Sequence, residues 1–159
     1  MYRWLLVTAF LSATPAFAQT NINLGGITAD PSAAVEVAAD SLSVDQDTGT
    51  AIFEGNVVIG QGALRISAGR AQVVYDGASG DIASFAASGG VTFANGTEAA
   101  EAQNANYDLQ NGQLVLTGDV LLTQGASALA AERMTIDVAT GNAQMQGRVR
   151  TVFQQDGGN

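Results

Sequence analysis

One skeleton recurs four times in this chain: an Asp, a Gly four residues later, a second Gly, and a Val two residues beyond it. The copies are Asp45, Gly49, Gly55, Val57; then Asp76, Gly80, Gly89, Val91; then Asp108, Gly112, Gly118, Val120; then Asp137, Gly141, Gly147, Val149. The two glycines are six residues apart in copies one, three and four, and nine apart in copy two. A fixed repeat of this kind marks one supersecondary unit that cannot bury its apolar face alone and must stack on its neighbours. An Asp at a turn start accepts a backbone N–H, and a Gly four residues on supplies the positive φ of a hairpin loop. Each unit therefore reads as strand, tight turn, strand. The second Gly falls inside the second strand, where glycine costs stability, so a bulge, bend or close backbone approach is expected there.

Side-chain period fixes which face is apolar. Counting by twos through the second Gly gives Phe53, Val57 and Ile59; Phe85, Val91 and Phe93; Leu114, Leu116, Val120 and Leu122; Met145 and Val149. The strand before each turn adds Leu42 and Val44, Val73 and Tyr75, Ala105 and Tyr107, and Met134 and Ile136. Alternate side chains share one face of a strand. The repeats thus line up one apolar row, with Glu54, Asn56, Thr117, Asp119 and Arg148 on the other side. The expected class is all-β, with antiparallel strand–turn–strand repeats over 35–153. Ala126–Arg133 has helical propensity but falls in strand phase, and the repeat outweighs propensity. The extra residues of copy two, around Ile82 to Phe85, predict a bulge or a longer turn. Two interiors satisfy this pattern: a core closed by its own side chains, or a groove that holds lipid chains.

Residues 1–18 carry Arg3, an apolar run from Trp4 to Leu11, and Ala16-Phe17-Ala18. This is the pattern of a secretory signal peptide cleaved after Ala18. The run is too short to span a bilayer, which takes about 20 residues. A periplasmic address is expected. Residues 19–34 read as a flexible arm with room for a short strand within Ile22–Ile27, and 154–159 as a disordered tail.

The residue inventory excludes much chemistry. Cysteine, histidine and lysine are absent and net charge is −9. No thiol nucleophile, Ser-His-Asp triad or lysine-bearing phosphate loop can be built. An acidic chain is a poor general nucleic-acid binder. Asp40, Asp45 and Asp47 could form a catalytic or calcium cluster, but their spacing lacks the ligand density of a calcium loop, and turn capping explains them. No catalytic residue, metal or cofactor is expected. Arg65, Arg70, Arg133, Arg148 and Arg150 are either partners of surface acids or contacts for anionic headgroups at the rim of the apolar face.

The run Ala39-Asp40-Ser41-Leu42-Ser43-Val44-Asp45, Gly49, Phe53-Glu54-Gly55-Asn56-Val57-Val58-Ile59, Gln61-Gly62 and Leu64-Arg65-Ile66-Ser67-Ala68 resembles the opening block of the OstA-like lipopolysaccharide-transport family. Thr117-Gly118-Asp119-Val120 and Gly147-Arg148-Val149 resemble its later echoes. The resemblance implies an open, twisted β-jellyroll whose apolar interior takes lipopolysaccharide acyl chains. It implies head-to-tail edge-strand pairing with like domains: copies of itself, an LptC-type inner-membrane protein and an LptD-type outer-membrane translocon. The alternative without that resemblance is a structural β-repeat scaffold with a closed core and no lipid. A hydrolase using acidic residues is a further rival, with no substrate to propose.

Overall fold

The computed structural model describes residues 21–23, 32–96 and 98–153, and no helix occurs among them. The strands are β1 (Asn21–Asn23), β2 (Val35–Ala38), β3 (Ser41–Asp45), β4 (Thr50–Gln61), β5 (Leu64–Tyr75), β6 (Ile82–Asn95), β7 (Glu98–Asp108), β8 (Gln113–Gln124), β9 (Ser127–Asp137), β10 (Asn142–Gln146) and β11 (Arg150–Val152). From β4 to β10 they form an antiparallel meander in which every strand pairs with its sequence neighbours. Ala126–Arg133 is strand, as its phase requires: Ser127–Asp137 forms β9. The arm contributes β1 at Asn21–Asn23, which pairs with β10. The rest of the expected strand to Ile27, the signal peptide and the 154–159 tail lie outside the described residues.

Each repeat is a hairpin, and its Asp behaves as its position demands. Asp45 Oδ1 accepts the N–H of Asp47 at 2.9 Å, Asp76 Oδ1 that of Ala78 at 2.7 Å, Asp108 Oδ1 that of Asn111 at 3.1 Å, and Asp137 Oδ1 that of Ala139 at 3.0 Å. Copy two carries the insertion. Its turn runs from Asp76 to Asp81, and the register slips by one residue where Val74 pairs Ser84 and Tyr75 pairs Ile82, leaving Ala83 as a bulge. Of the two expected forms of the insertion the bulge is present; the tip from Asp76 to Asp81 is as long as Asp45 to Thr50, and the remaining extra residues lengthen the paired arms.

The long strands do not run straight. Residues 55–56 of β4 oppose the single residue Gly69, 89–90 of β6 oppose Gln103, and 118–119 of β8 oppose Glu132. Two residues against one is a β-bulge, which bends its strand and sharpens its twist. The edge strands are broken at the same line. β2 and β3 pair with different halves of β4, and β10 and β11 with different halves of β9.

The bend line divides the sheet into two layers. The front layer holds the Asp hairpins, in the order β3, β4, β5, β6, β7, β8, β9, β10, β1. The back layer holds β2, the remaining halves of β4 to β9, and β11. Apolar side chains alternate inward in both: Phe85 and Ala87 before the bend and Val91 and Phe93 after it, Leu114 and Leu116 before and Val120 and Leu122 after. Leu114, Leu122, Met134 and Ile136 are 0% exposed. A lone sheet leaves one face wet, so exposures this low require the other layer as cover.

Candidate functional site

The bend is the element that creates an interior, and its local chemistry repeats. Gly55, Gly89, Gly118 and Gly147 hold φ of 79°, 81°, 83° and 80°. The residue after each is also left-handed: Asn56 at 45°, Gly90 at 83°, Asp119 at 48° and Arg148 at 44°. A side chain on the glycine has no room. A Cβ on Gly118 would lie 2.8 Å from the Cβ of Gln103, and one on Gly147 2.7 Å from the Cβ of Glu132.

The residue opposite each glycine in its hairpin closes the bend. Asn56 Nδ2 donates to Asp40 Oδ2 at 2.8 Å, Gln103 Nε2 donates to Asp119 Oδ2 at 2.7 Å, and Arg148 Nε pairs with Glu132 Oε1 at 3.2 Å. Copy two has no such clasp. There Gly69 faces Gly89 backbone to backbone, and a Cβ on Gly69 would meet the Gly89 carbonyl oxygen at 3.2 Å. Sequence reading missed these partners. A signal was present: Asp40, Gln103 and Glu132 each precede their glycine by fifteen residues, and Gly69 by twenty.

The bends bring together most of the expected interior residues. Phe53, Val57, Ile59, Val73, Phe85, Val91, Phe93, Leu114, Leu116, Val120, Leu122, Met134, Ile136 and Met145 are all buried. Leu42, Val44, Tyr75 and Val149 are not, at 56%, 62%, 38% and 45% exposed. Period 2 gave them the inward face, and Leu42 and Val44 do pair with the inward Phe53 and Ala51. They lack cover because β3 is the last strand of its layer. Val149 lies beside β11, the last strand of the back layer at the other end. Ala105 and Tyr107 are buried as expected. Leu64, Ile66, Leu129 and the β7 alanines Ala100 and Ala102 complete the interior. They lie on strands between the repeat motifs, and their own alternation was the available signal.

Opposite the bend, a polar contact joins the layers. Tyr107 Oη, on the front layer, donates to Gln61 Oε1, on the back layer, at 3.3 Å. The Tyr107 ring stands edge-on to Phe85, with centroids 5.2 Å apart and planes at 89°. Burial raises the Tyr107 phenol above its usual range. Gln61 also donates to the Ala33 carbonyl at 3.4 Å. An open cavity of about 470 Å³ lies beside this contact, lined in part by Val35, Gln61, Ile82 and Leu109.

The charged residues sit outside. Arg70 pairs with Glu54 and Arg148 with Glu132 across strands of the outer face. Arg65 caps its own turn, donating to the carbonyls of Gly62 at 2.7 Å and Leu64 at 2.8 Å. Arg133 and Arg150 are exposed. Asp40 and Asp45 are engaged in the bend and the first turn. Among the described residues no three His, Cys, Asp or Glu side chains are grouped to hold a metal.

Fold and site together define an antiparallel sheet folded on itself around an apolar interior, an open β-jellyroll. The chain belongs to the family described as LptA/(LptD N-terminal domain) LPS transport protein, whose model matches residues 36–142. That is a family of transport components rather than of enzymes. An uncharacterized protein of Rhizobium meliloti (strain 1021) is 29% identical over 154 residues, covering 89% of this chain and 83% of that one. The crystal structure of LptH, the LptA-homologous periplasmic component of the lipopolysaccharide transport device of Pseudomonas aeruginosa, superposes with a TM-score of 0.72. It covers 80% of this chain and 99% of that one at 17% identity, a likeness of fold.

Proposed function

We propose that this chain is a non-enzymatic periplasmic carrier that takes lipopolysaccharide acyl chains between its two layers and bridges inner- and outer-membrane transport complexes. The observation that carries the reading is continuity. The inward apolar rows cross every strand from β4 to β10, and at the β3 edge they run out into the exposed, inward-facing Leu42 and Val44. Moving an acyl chain through water costs about 0.8 kcal/mol per CH₂, on the order of 9 kcal/mol for twelve carbons. An unbroken apolar path removes that barrier without chemistry. Among the described residues the outer sides of β2, β3 and β11 are unpaired, which suits strand addition by a like domain. The partners that fit are a second copy, an LptC-type inner-membrane protein and an LptD-type translocon. Arg133 and Arg150 are exposed and, among the described residues, stand outside the two ion pairs of the outer face, so they are the candidates for headgroup phosphate.

A second reading has its own observation. The interior is packed, with Phe93 and Ile66 each 1% exposed, as in a structural scaffold with a closed core. For a carrier, the same packing means that the layers part when a chain enters. Photo-crosslinking separates the two. Probes at Phe53, Val91, Leu116 and Met145 in cells capture lipopolysaccharide if the interior is the path. Capture confined to outward positions such as Asn56 and Asp119, or no capture, returns the protein to the scaffold reading.

A further inference from the structure

The two ends of the front layer differ. At one end β3 pairs only with β4, so its outer side is open among the described residues. At the other end the outer side of β10 is occupied by β1, a segment of the same chain from the far end of the sequence. Asn21 pairs Gln144, Ile22 pairs Ala143 and Asn23 pairs Asn142.

Direction makes this pairing informative. Every neighbour in the front layer is antiparallel, so β3, β5, β7 and β9 run one way and β10 the other. β1 is antiparallel to β10 and therefore runs in the direction of β3. Were a second copy placed after β10 by continuing the sheet, its β3 would lie where β1 lies, in the same orientation. The sequences match in kind. Asn21-Ile22-Asn23 alternates polar, aliphatic, polar, as do Ser41-Leu42-Ser43 and Ser43-Val44-Asp45. Ile22 is the register partner of the buried Ala143, the position an incoming Leu42 or Val44 would face. β1 covers three of the five residues of β10, whereas β3 is five residues long.

We infer that β1 is an internal placeholder on a strand-acceptor edge, and that β10 accepts the β3 edge of a second copy only after β1 has left. This rests on the edge-pairing part of the proposed function. In the back layer the outer sides of β2 and β11 are both open among the described residues, so first contact there leaves β1 in place. Exchange follows because the longer strand completes a ladder that the shorter one leaves unfinished.

The test is a lock. The chain has no cysteine, so Asn23→Cys with Asn142→Cys creates one possible intramolecular disulfide. Facing residues in an antiparallel pair lie about 4.5–5.5 Å apart between Cα atoms, within disulfide reach. Sedimentation velocity over a concentration series compares the oxidised and reduced protein, with free thiols titrated to verify the bond. The expected result is that oxidation weakens self-association at least about tenfold, roughly 1.4 kcal/mol, and that reduction restores it. Equal association in the two states, with the bond formed, overturns the placeholder while leaving edge pairing intact. Failure of the folded protein to form the bond places β1 elsewhere and also overturns it. No association in the reduced protein or in the parent removes the edge-pairing reading, and the placeholder with it.

Discussion

Asn56 donates from Nδ2 to Asp40 Oδ2 across 2.8 Å, closing the bend between the broken edge strand and β4. Gln103 with Asp119 and Arg148 with Glu132 do the same in the third and fourth hairpins, with different side chains. What the three share is a backbone: a glycine and the next residue both at positive φ. The polar pair fills the space over the glycine, where no Cβ fits.

Gly118→Ala therefore meets two penalties. Its φ of +83° is strained for alanine, and its Cβ would lie 2.8 Å from that of Gln103. The expected loss is about 1–3 kcal/mol in chemical denaturation. Gly90→Ala shares the φ of +83° but has nothing within 4 Å, so its loss should be the conformational part alone, about 1–2 kcal/mol. Equal losses in the two variants would show that the crossing contact carries no energy.

Acid stability follows from the turn caps. Asp45 is held below the usual carboxylate range chiefly by the Thr48 N–H, and Asp108 chiefly by the Asn111 side chain. A carboxylate whose pKa is depressed in the fold contributes stability that is present above its unfolded pKa and lost as pH falls through the folded one. Melting temperature should thus decline as pH falls below about 4. Asp45→Asn and Asp108→Asn should melt lower at neutral pH and lose less on acidification. Parallel melting curves against pH for parent and variants would dissociate the caps from acid unfolding.

Tyr107→Phe tests the contact opposite the bend. Deleting a buried hydroxyl partner costs about 0.5–1.5 kcal/mol and leaves Gln61 Oε1 short of a donor. The parent phenol, its pKa raised by burial, stabilises fully below its unfolded pKa near 10 and progressively less as pH rises beyond it. The phenylalanine variant should lack that alkaline decline. If the layers part here to admit chains, the variant also takes up a fluorescent lipid A faster in stopped-flow mixing. An unchanged uptake rate puts the opening elsewhere.

Leu42→Lys and Val44→Lys probe the exposed inward residues of the β3 edge. Neither side chain is covered within one copy, at 56% and 62% exposure, so folding stability should shift by less than about 0.5 kcal/mol. Self-association, read by light scattering, should fall markedly if the apolar row continues into a neighbour. Association equal to the parent's would mean that this edge ends in solvent.

How much could be read from the sequence depended on range. Asp45, Gly49 and Gly55 announce turn and bend because each meets a local backbone demand within a few residues. Period 2 placed Phe85, Leu116 and Met134 inward without reference to other strands. Facing inward is not the same as being covered, which is why Leu42 and Val44 have the right face and no lid. The Gln61–Tyr107 contact joins residues 46 apart, and the β1–β10 pairing joins opposite ends of the chain. Neither leaves a local trace.

The bend line also acts as a ruler. Strands lie about 4.8 Å apart across the hydrogen bonds, so each hairpin advances the interior by about 10 Å. Length along that line is set by the number of hairpins, and cross-section by the residues on either side of the glycine. An odd insertion within a strand half would turn every side chain beyond it to the other face. Copy two places one extra residue at the Ala83 bulge and adds two paired positions to the arm, an even number, so parity is conserved. A chain built this way can change its reach by whole hairpins or whole copies while the bore stays the same.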